Sequence, residues 1–197
     1  MHVSGSNFQY LTALDKTNIF PLNKREMKRI EKLSGSFSKE DHDRIKEIEA
    51  ELNHDVKACE IYLAEVLKLR YPNMIHFGLT SEDVNNISHT LLIKKYRDEL
   101  QLPQLKELLL LLAGKIKAWK SLPFPARTHG QMASPSTAGK ELAVFASRLL
   151  HQYKALKSLS FRGKCNGATG NYSAMLAAAP QIDWIKLSKD FFRGAGT

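Results

Sequence analysis

Apolar residues recur every three or four positions along most of the chain, a pattern typical of helices that bury one face. The clearest stripe lies between residues 45 and 66 and consists of Ile45, Ile48, Leu52, Val56, Cys59, Leu63 and Val66. Ser38 precedes this stretch and is followed by acidic residues, which suits a helix N-terminus. Asn53, His54 and Asp55 interrupt the strong helix formers. We therefore expect a kink or break there, where Asn53 could cap a second helix.

Helical patterns also occupy residues 24–34 and most of the chain from residue 80 onward. Thr80-Ser81-Glu82-Asp83 approaches the spacing of a capping box. Pro103 suits the first turn of a helix, so one helix is expected to end before it and the next to begin there. Ser136 is predicted to cap the helix that follows the loop at residues 122–136, and Asp183 to cap the last helix. No convincing alternating strand occurs, and the predicted fold class is all-α.

The 197 residues, 43% of them hydrophobic, can bury a core. Residues 1–100 carry 15 Lys and Arg against 16 Asp and Glu, whereas residues 101–197 carry 14 against 4. The cations of the basic half are spread singly along helices with few aromatic residues among them, so a nucleic-acid partner is not expected. The apolar run at residues 105–113 is too short to cross a membrane. Cys59 and Cys165 form no CxxC pair and are predicted to be buried thiols in the cytoplasm.

The stretch Arg127-Thr128-His129-Gly130-Gln131 is the leading candidate for chemistry. An imidazole exchanges protons near neutral pH, a hydroxyl lies beside it, and the glycine permits close approach of a ligand. The loop is predicted to lead into a helix N-terminus, where unpaired N–H groups favour anions. The alternative is a loop histidine that bonds only to backbone.

A second candidate group surrounds His54. At 100° per residue, His54 lies about 200° from Leu52 around the helix, which removes it from the buried face. The Asn53-His54-Asp55 cluster is therefore either plain surface or a surface completed by another segment or subunit. Thr80 and Ser81 could bind an anionic ligand or serve only as helix caps.

Other motifs carry less functional information. His76 lies between Ile75 and Phe77 and is interpreted as structural. The glycine-rich run at residues 167–170 lacks the Lys-Ser/Thr of a phosphate-binding P-loop and follows no strand. The spacing of histidine, cysteine and acidic residues predicts no metal site.

Four ordered motifs resemble one enzyme family. They are NHDVKA (53–58), HFGLTSEDVNNISHTL (76–91), ARTHGQMASPSTAGKE (126–141) and GKCNGATGNYSA (163–174). Together they closely resemble the adenylosuccinate lyase family of the fumarase/aspartase superfamily, with a likeness running from about Phe8 to Phe192. The resemblance implies an all-α lyase, with an N-terminal helical domain at residues 1–78 and the first part of a central helix bundle at residues 79–197.

The resemblance also implies a reaction and a site. The family eliminates fumarate from adenylosuccinate and from the succinylated carboxamide ribotide of purine synthesis. The position of His129 is that of the general acid, which protonates the leaving nitrogen. Asn53, His54, Asp55, Thr80, Ser81 and Thr128 are expected to contact the anionic nucleotide substrate. No cofactor or metal is expected, and the complete protein is expected to be a homotetramer whose sites draw on three subunits.

The family's catalytic base is a serine in a Ser-Ser-x-Met-Pro-x-Lys-x-Asn segment, which does not occur among these 197 residues. We therefore expect a chain truncated at both ends that has negligible activity alone. Two alternatives are a sister lyase, such as argininosuccinate lyase, and a non-catalytic helical module. The second rests on helix faces expected to lack partners at Leu142, Leu149 and Phe191.

Overall fold

The computed structural model describes residues 2–195, with side chains for residues 8–193. These residues form nine α-helices and one two-stranded sheet. The helices are α1 (His2–Asp15), α2 (Lys24–Gly35), α3 (Lys39–Leu52), α4 (Asp55–Leu67), α5 (Ser81–Tyr96), α6 (Leu102–Ala118), α7 (Ala138–Ser158), α8 (Ser173–Ala178) and α9 (Trp184–Ala195). The strands are β1 (Pro123–Thr128) and β2 (Gln131–Thr137), and a short 3-10 helix spans Pro72–His76.

The chain divides into two compact units. The first consists of Met1–Ile93 and Phe161–Thr197, and the second of Lys94–Ser160. The domain boundary between residues 78 and 79 stays a prediction from the family resemblance.

The first unit holds a hydrophobic core to which α1, α3, α4 and α9 contribute. Leu11, Leu14, Leu63 and Leu67 are fully buried in it. The ring of Phe191 on α9 packs edge-on against Tyr10 of α1, with 5.8 Å between centroids. The expectation that Phe191 lacks a partner is therefore wrong, because α1 covers that face of α9.

The helices α3 and α4 are separate, as the Asn53–Asp55 interruption predicts. Asn53 ends α3 in the left-handed conformation, with φ 53°, and its N–H donates to the carbonyl of Glu49. His54 rather than Asn53 caps α4, since its ring accepts the N–H of Lys57. Most of the predicted stripe is confirmed, since Ile45, Ile48, Val56, Cys59 and Leu63 are buried; Leu52, 45% exposed, and Val66, 41% exposed, are not part of it.

The predicted helix boundary before Pro103 is wrong. The backbone stays helical from α5 to α6 through a π-helical turn, Arg97–Gln101. Pro103 lies at the start of α6, where its missing N–H is tolerated because the wider turn has already shifted the hydrogen-bond pattern. In the second unit, buried Arg97 donates from Nη1 to the carbonyl of Leu159 at 2.6 Å and so caps the end of α7.

The loop predicted at residues 122–136 is instead an antiparallel hairpin. Strands β1 and β2 pair from Pro123↔Thr137 to Thr128↔Gln131, with an irregularity between Pro125 and Arg127. Its three prolines and weak apolar alternation are not typical of strands, so the sequence pattern does not indicate a hairpin here. The predicted cap of α7 was also one residue early: Thr137 accepts the N–H of Lys140, while the Ser136 hydroxyl donates to Glu141.

The second unit is built on the antiparallel pair α6 and α7. None of the 17 residues of α6, all within the described part of the chain, is buried. Several large apolar side chains of this unit are more than two-fifths exposed, among them Leu108, Leu110, Leu111, Phe145 and Leu150. Apolar exposure on this scale is typical of a surface that is covered in an assembly.

Candidate functional site

His54 is held by its own helix start. Its extended backbone, φ −147° and ψ 109°, places the ring over the first turn of α4, where Nδ1 accepts the N–H of Lys57 at 3.2 Å. A nitrogen that accepts a hydrogen bond carries no proton, so the proton of the neutral ring resides on Nε2. Nε2 lies 3.5 Å from the hydroxyl oxygen of Ser81. His54 is thus oriented to donate toward Ser81.

Asp55 and Asn85 form a second link between the same two helix starts. One carboxylate oxygen of Asp55 accepts the N–H of Val56 at 2.7 Å, and the other accepts the side-chain amide of Asn85 at 3.4 Å. Asn85 lies one turn after Ser81 on α5. The N-terminal ends of α4 and α5 therefore meet at an accessible polar cluster consisting of His54, Asp55, Ser81 and Asn85.

Thr80 and Ser81 stand at the first turn of α5. The N–H of Thr80 donates to the Asp83 carboxylate at 2.9 Å, which is the acidic half of the predicted capping box. The N–H of Asp83 donates to the carbonyl oxygen of Thr80 at 3.0 Å rather than to its hydroxyl. The helix end is thus capped by an internal carboxylate.

His129 and Thr128 belong to the second unit, at the tip of the β1–β2 hairpin. His129 and Gly130 both have positive φ, 50° and 77°, between the paired residues Thr128 and Gln131. Two left-handed residues between paired strands make a type I′ turn. His129 and Thr128 are exposed at this tip. The expectation that His129 adjoins a helix N-terminus is wrong, because all of β2 separates it from α7.

The structure thus brings together three of the predicted residues, His54, Asp55 and Ser81, with Thr80 and Asn53 adjoining them in the chain. Asn85 belongs to the same cluster but was not predicted. Its position four residues after Ser81 on a helix places it on the same face, which is the signal that could have identified it.

Burial shifts the pKa of three other titratable groups. Burial lowers the pKa of His76, with Glu60 opposing the shift, so the ring favours its neutral form. Burial also raises the pKa of the Cys59 thiol to about 11 and that of Cys165 to about 12. The prediction of buried, neutral thiols is confirmed.

Two backbone amides at the start of the glycine-rich run, one of them from the residue before it, already bind an internal anion. The N–H groups of Asn166 and Gly167 each donate to Asp83 at 3.1 Å. Among the side chains described, those of residues 8–193, no group of three histidine, cysteine or acidic residues is placed to hold a metal ion. Across the same residues, no helix combines the length and apolar character that a membrane span requires.

Comparison with known proteins defines the class first. Residues 8–195 match the family described as Lyase. The fold resembles the fumarate lyase from Mesorhizobium sp. BNC1, with a TM-score of 0.84 and 18% identity, over 99% of this chain and 44% of that one. It also resembles β-carboxy-cis,cis-muconate cycloisomerase from Acinetobacter calcoaceticus, with a TM-score of 0.79 and 16% identity, over 99% and 45%. The chain belongs to the lyase family, and the all-α prediction is confirmed apart from the hairpin.

Curated relatives narrow the class. The chain is 42% identical over 187 residues to adenylosuccinate lyase of Haemophilus influenzae, covering 92% of this chain and 41% of the relative. It is 44% identical over 172 residues to that of Escherichia coli K12, covering 85% and 38%. The Dictyostelium discoideum protein of the same name is 39% identical over 198 residues, covering 94% and 42%. The predicted resemblance is confirmed, and the chain spans about two-fifths of these relatives.

Proposed function

We propose that this chain is part of an adenylosuccinate lyase, which eliminates fumarate from adenylosuccinate to give AMP and from the succinylaminoimidazole carboxamide ribotide. The observation that carries the proposal is the 42–44% identity to bacterial proteins of that name over almost the whole chain. Since the quoted relatives share this name, they favour its substrate over that of a sister lyase.

The geometry of the first unit supports an anionic substrate. The positive ends of α4 and α5 meet at the cluster of His54, Asp55, Ser81 and Asn85, and Nε2 of His54 is oriented as a donor. Asn53, His54, Asp55, Thr80 and Ser81 are proposed to contact the carboxylate or phosphate groups of the nucleotide.

His129 is proposed as the general acid, with Thr128 as a neighbouring substrate contact. In the elimination, a base removes the proton from the carbon next to a substrate carboxylate, the C–N bond breaks, and His129 gives its proton to the departing nitrogen. The substrate's own carboxylate stabilises the negative charge that develops on carbon, so the proposed mechanism uses no cofactor. An exposed hairpin tip suits this role, since a ligand can reach the ring without displacing buried side chains.

We also propose a homotetramer whose active sites combine segments of several subunits, and a cytoplasmic enzyme. The exposed apolar side chains of α6 and α7 support assembly. Two free buried thiols suit a reducing compartment. The serine base is proposed to come from a polypeptide segment other than these 197 residues.

The test is complementation. The chain is mixed with the remaining three-fifths of the Escherichia coli relative, a segment expected to bear the serine loop, and the assembly is isolated by size-exclusion chromatography. Fumarate release is then measured with adenylosuccinate and, in parallel, with argininosuccinate. We expect release from adenylosuccinate by the assembly and negligible release by either part alone. An isolated assembly that is inert toward adenylosuccinate, or one that cleaves only argininosuccinate, would refute the proposal.

A further inference from the structure

Asp83 is a fully buried carboxylate with four hydrogen-bond donors around it. One oxygen accepts Nζ of Lys164 at 2.8 Å and the N–H of Asn166 at 3.1 Å. The other accepts the N–H of Thr80 at 2.9 Å and that of Gly167 at 3.1 Å. The side chain has no exposed area. One carboxylate thus joins the beginning of α5 to the glycine-rich segment more than 80 residues later in the chain.

Both the side chain and the backbone of Lys164 form hydrogen bonds within this junction between α5 and the glycine-rich segment. Besides the ion pair with Asp83, its Nζ donates to the carbonyl of Gly167 at 2.6 Å. Its backbone is held on both sides by Asn86, whose side chain accepts the N–H of Lys164 at 2.8 Å and donates to its carbonyl at 2.9 Å. A buried carboxylate is costly unless a cation compensates it. The positive charge of Lys164 therefore compensates the negative charge of the buried Asp83 carboxylate.

We infer that Lys164 is a positioning residue for the proposed anion subsite: it acts through Asp83 to fix the backbone at Thr80 and Ser81, and it does not contact substrate. Ser81 follows directly on Thr80, whose N–H the Asp83 carboxylate fixes, and the Ser81 hydroxyl meets His54 at 3.5 Å. The inference rests on the proposed function, because it takes this cluster to be the place where the substrate's anionic end binds.

The experiment uses the complemented assembly described above, with only the 197-residue chain labelled with ¹⁵N. Fumarate and AMP are titrated separately, and the backbone amide resonance of Ser81 is followed. The variant is Lys164→Met, which removes the cation and keeps an unbranched stem. The matched control is Lys39→Met, because Lys39 and Asp43 form an ion pair of similar length, 2.9 Å, with both side chains largely exposed.

We expect Lys164→Met to shift the amide resonances of Thr80, Asn166 and Gly167 and to weaken binding of the responding probe at least about tenfold. Lys39→Met should leave both unchanged. If the three resonances stay in place, or if binding is unaffected, the inference is overturned while the proposed function stands. If neither probe perturbs Ser81 in the unsubstituted assembly, the proposed subsite itself fails, and the inference fails with it.

The double variant Asp83→Asn/Lys164→Met separates positioning from direct contact, and it also leaves no unpaired buried charge should Lys164→Met alone fail to fold. If Lys164 acts through Asp83, the double variant binds the probe no more weakly than Asp83→Asn alone. Losses that add would show that Lys164 touches the ligand, and would overturn the inference.

Discussion

Replacing Gly139 with alanine should destabilise the packing between the hairpin and the α6–α7 pair in the second unit. A Cβ at this position would lie 2.7 Å from the carbonyl oxygen of Ile116, 2.8 Å from the N of Lys120 and 2.9 Å from its Cα. All three are backbone atoms, so no side chain can rotate away. Ordinary contact begins near 3.4 Å, and α7 must therefore move by up to about 0.7 Å.

The expected cost combines two terms. Overpacking of this kind costs roughly 1–3 kcal/mol. The movement also stretches two hydrogen bonds. One runs from the N–H of Gly139 to the carbonyl of Trp119 at 3.0 Å, and the other from the N–H of Ala138 to the carbonyl of Leu122 at 3.1 Å. Stretching them costs roughly 1 kcal/mol. Alanine's higher helix propensity returns roughly 1 kcal/mol. The net loss in the free energy of unfolding is about 2 kcal/mol.

The matched control is Gly114→Ala on α6. It lies inside a helix, and a Cβ there would meet nothing within 4 Å. This substitution should stabilise by about 0.5–1 kcal/mol, because only the helix propensity changes. Urea unfolding followed by circular dichroism gives both values, and hydrogen exchange at the amides of α6 and α7 reports on this unit. A Gly139→Ala chain as stable as the Gly114→Ala chain would refute the close-packing argument.

Three further predictions concern other parts of the chain. Gly130→Ala should destabilise the hairpin by about 1 kcal/mol, because Gly130 has a φ of 77°. Gly35→Ala should not destabilise the hairpin. Equal hydrogen exchange of the strand amides in Gly130→Ala and in the parent would contradict this prediction. The Tyr62 hydroxyl donates to Asp41 and is the main cause that lowers the pKa of that carboxyl, with the Ser38 backbone second. A carboxyl whose pKa is depressed in the folded chain stabilises the fold at pH values above its ordinary pKa. That stabilisation is lost as pH falls through the pKa of the folded chain. Tyr62→Phe should therefore lower the free energy of unfolding at pH 7. The difference in this free energy between Tyr62→Phe and the parent should narrow as unfolding is measured toward pH 3. A constant difference would argue against the linkage. Both thiols should resist Ellman's reagent at pH 8 until urea unfolds the chain, and rapid labelling of the folded chain would count against their burial.

Several helices of the first unit, though not α1, could be predicted because their signals are local. Ser38 and Asp41 form the capping box of α3, and Asp183 bonds the N–H of Lys186 at the start of α9. These features follow from the spacing of a few neighbouring residues. The buried partner of Phe191 was not predictable, because Tyr10 lies at the other end of the sequence and only the fold brings the two rings together.

The hairpin and the junction at Asp83 were missed for different physical reasons. Pro123, Pro125 and Pro135 are unfavourable in strands in general, but a two-stranded ribbon has an unpaired edge on each strand where a missing N–H costs little. Asp83 was interpreted only as a cap, since its bonds to Asn166 and Gly167 span a distance in sequence that no local pattern reports. The family motifs marked both segments but did not show that they touch.

Substitution of the proposed proton donor, His129, is the most direct test of the proposed function. Fumarate release from adenylosuccinate is measured in the complemented assembly with His129→Gln, and with His151→Gln, an exposed histidine on α7, as the control. If His129 is the general acid, His129→Gln lowers the rate by about 10²–10⁴-fold, while His151→Gln leaves it within about twofold of the parent. Equal rates for the two variants would contradict the assignment of His129 as the general acid.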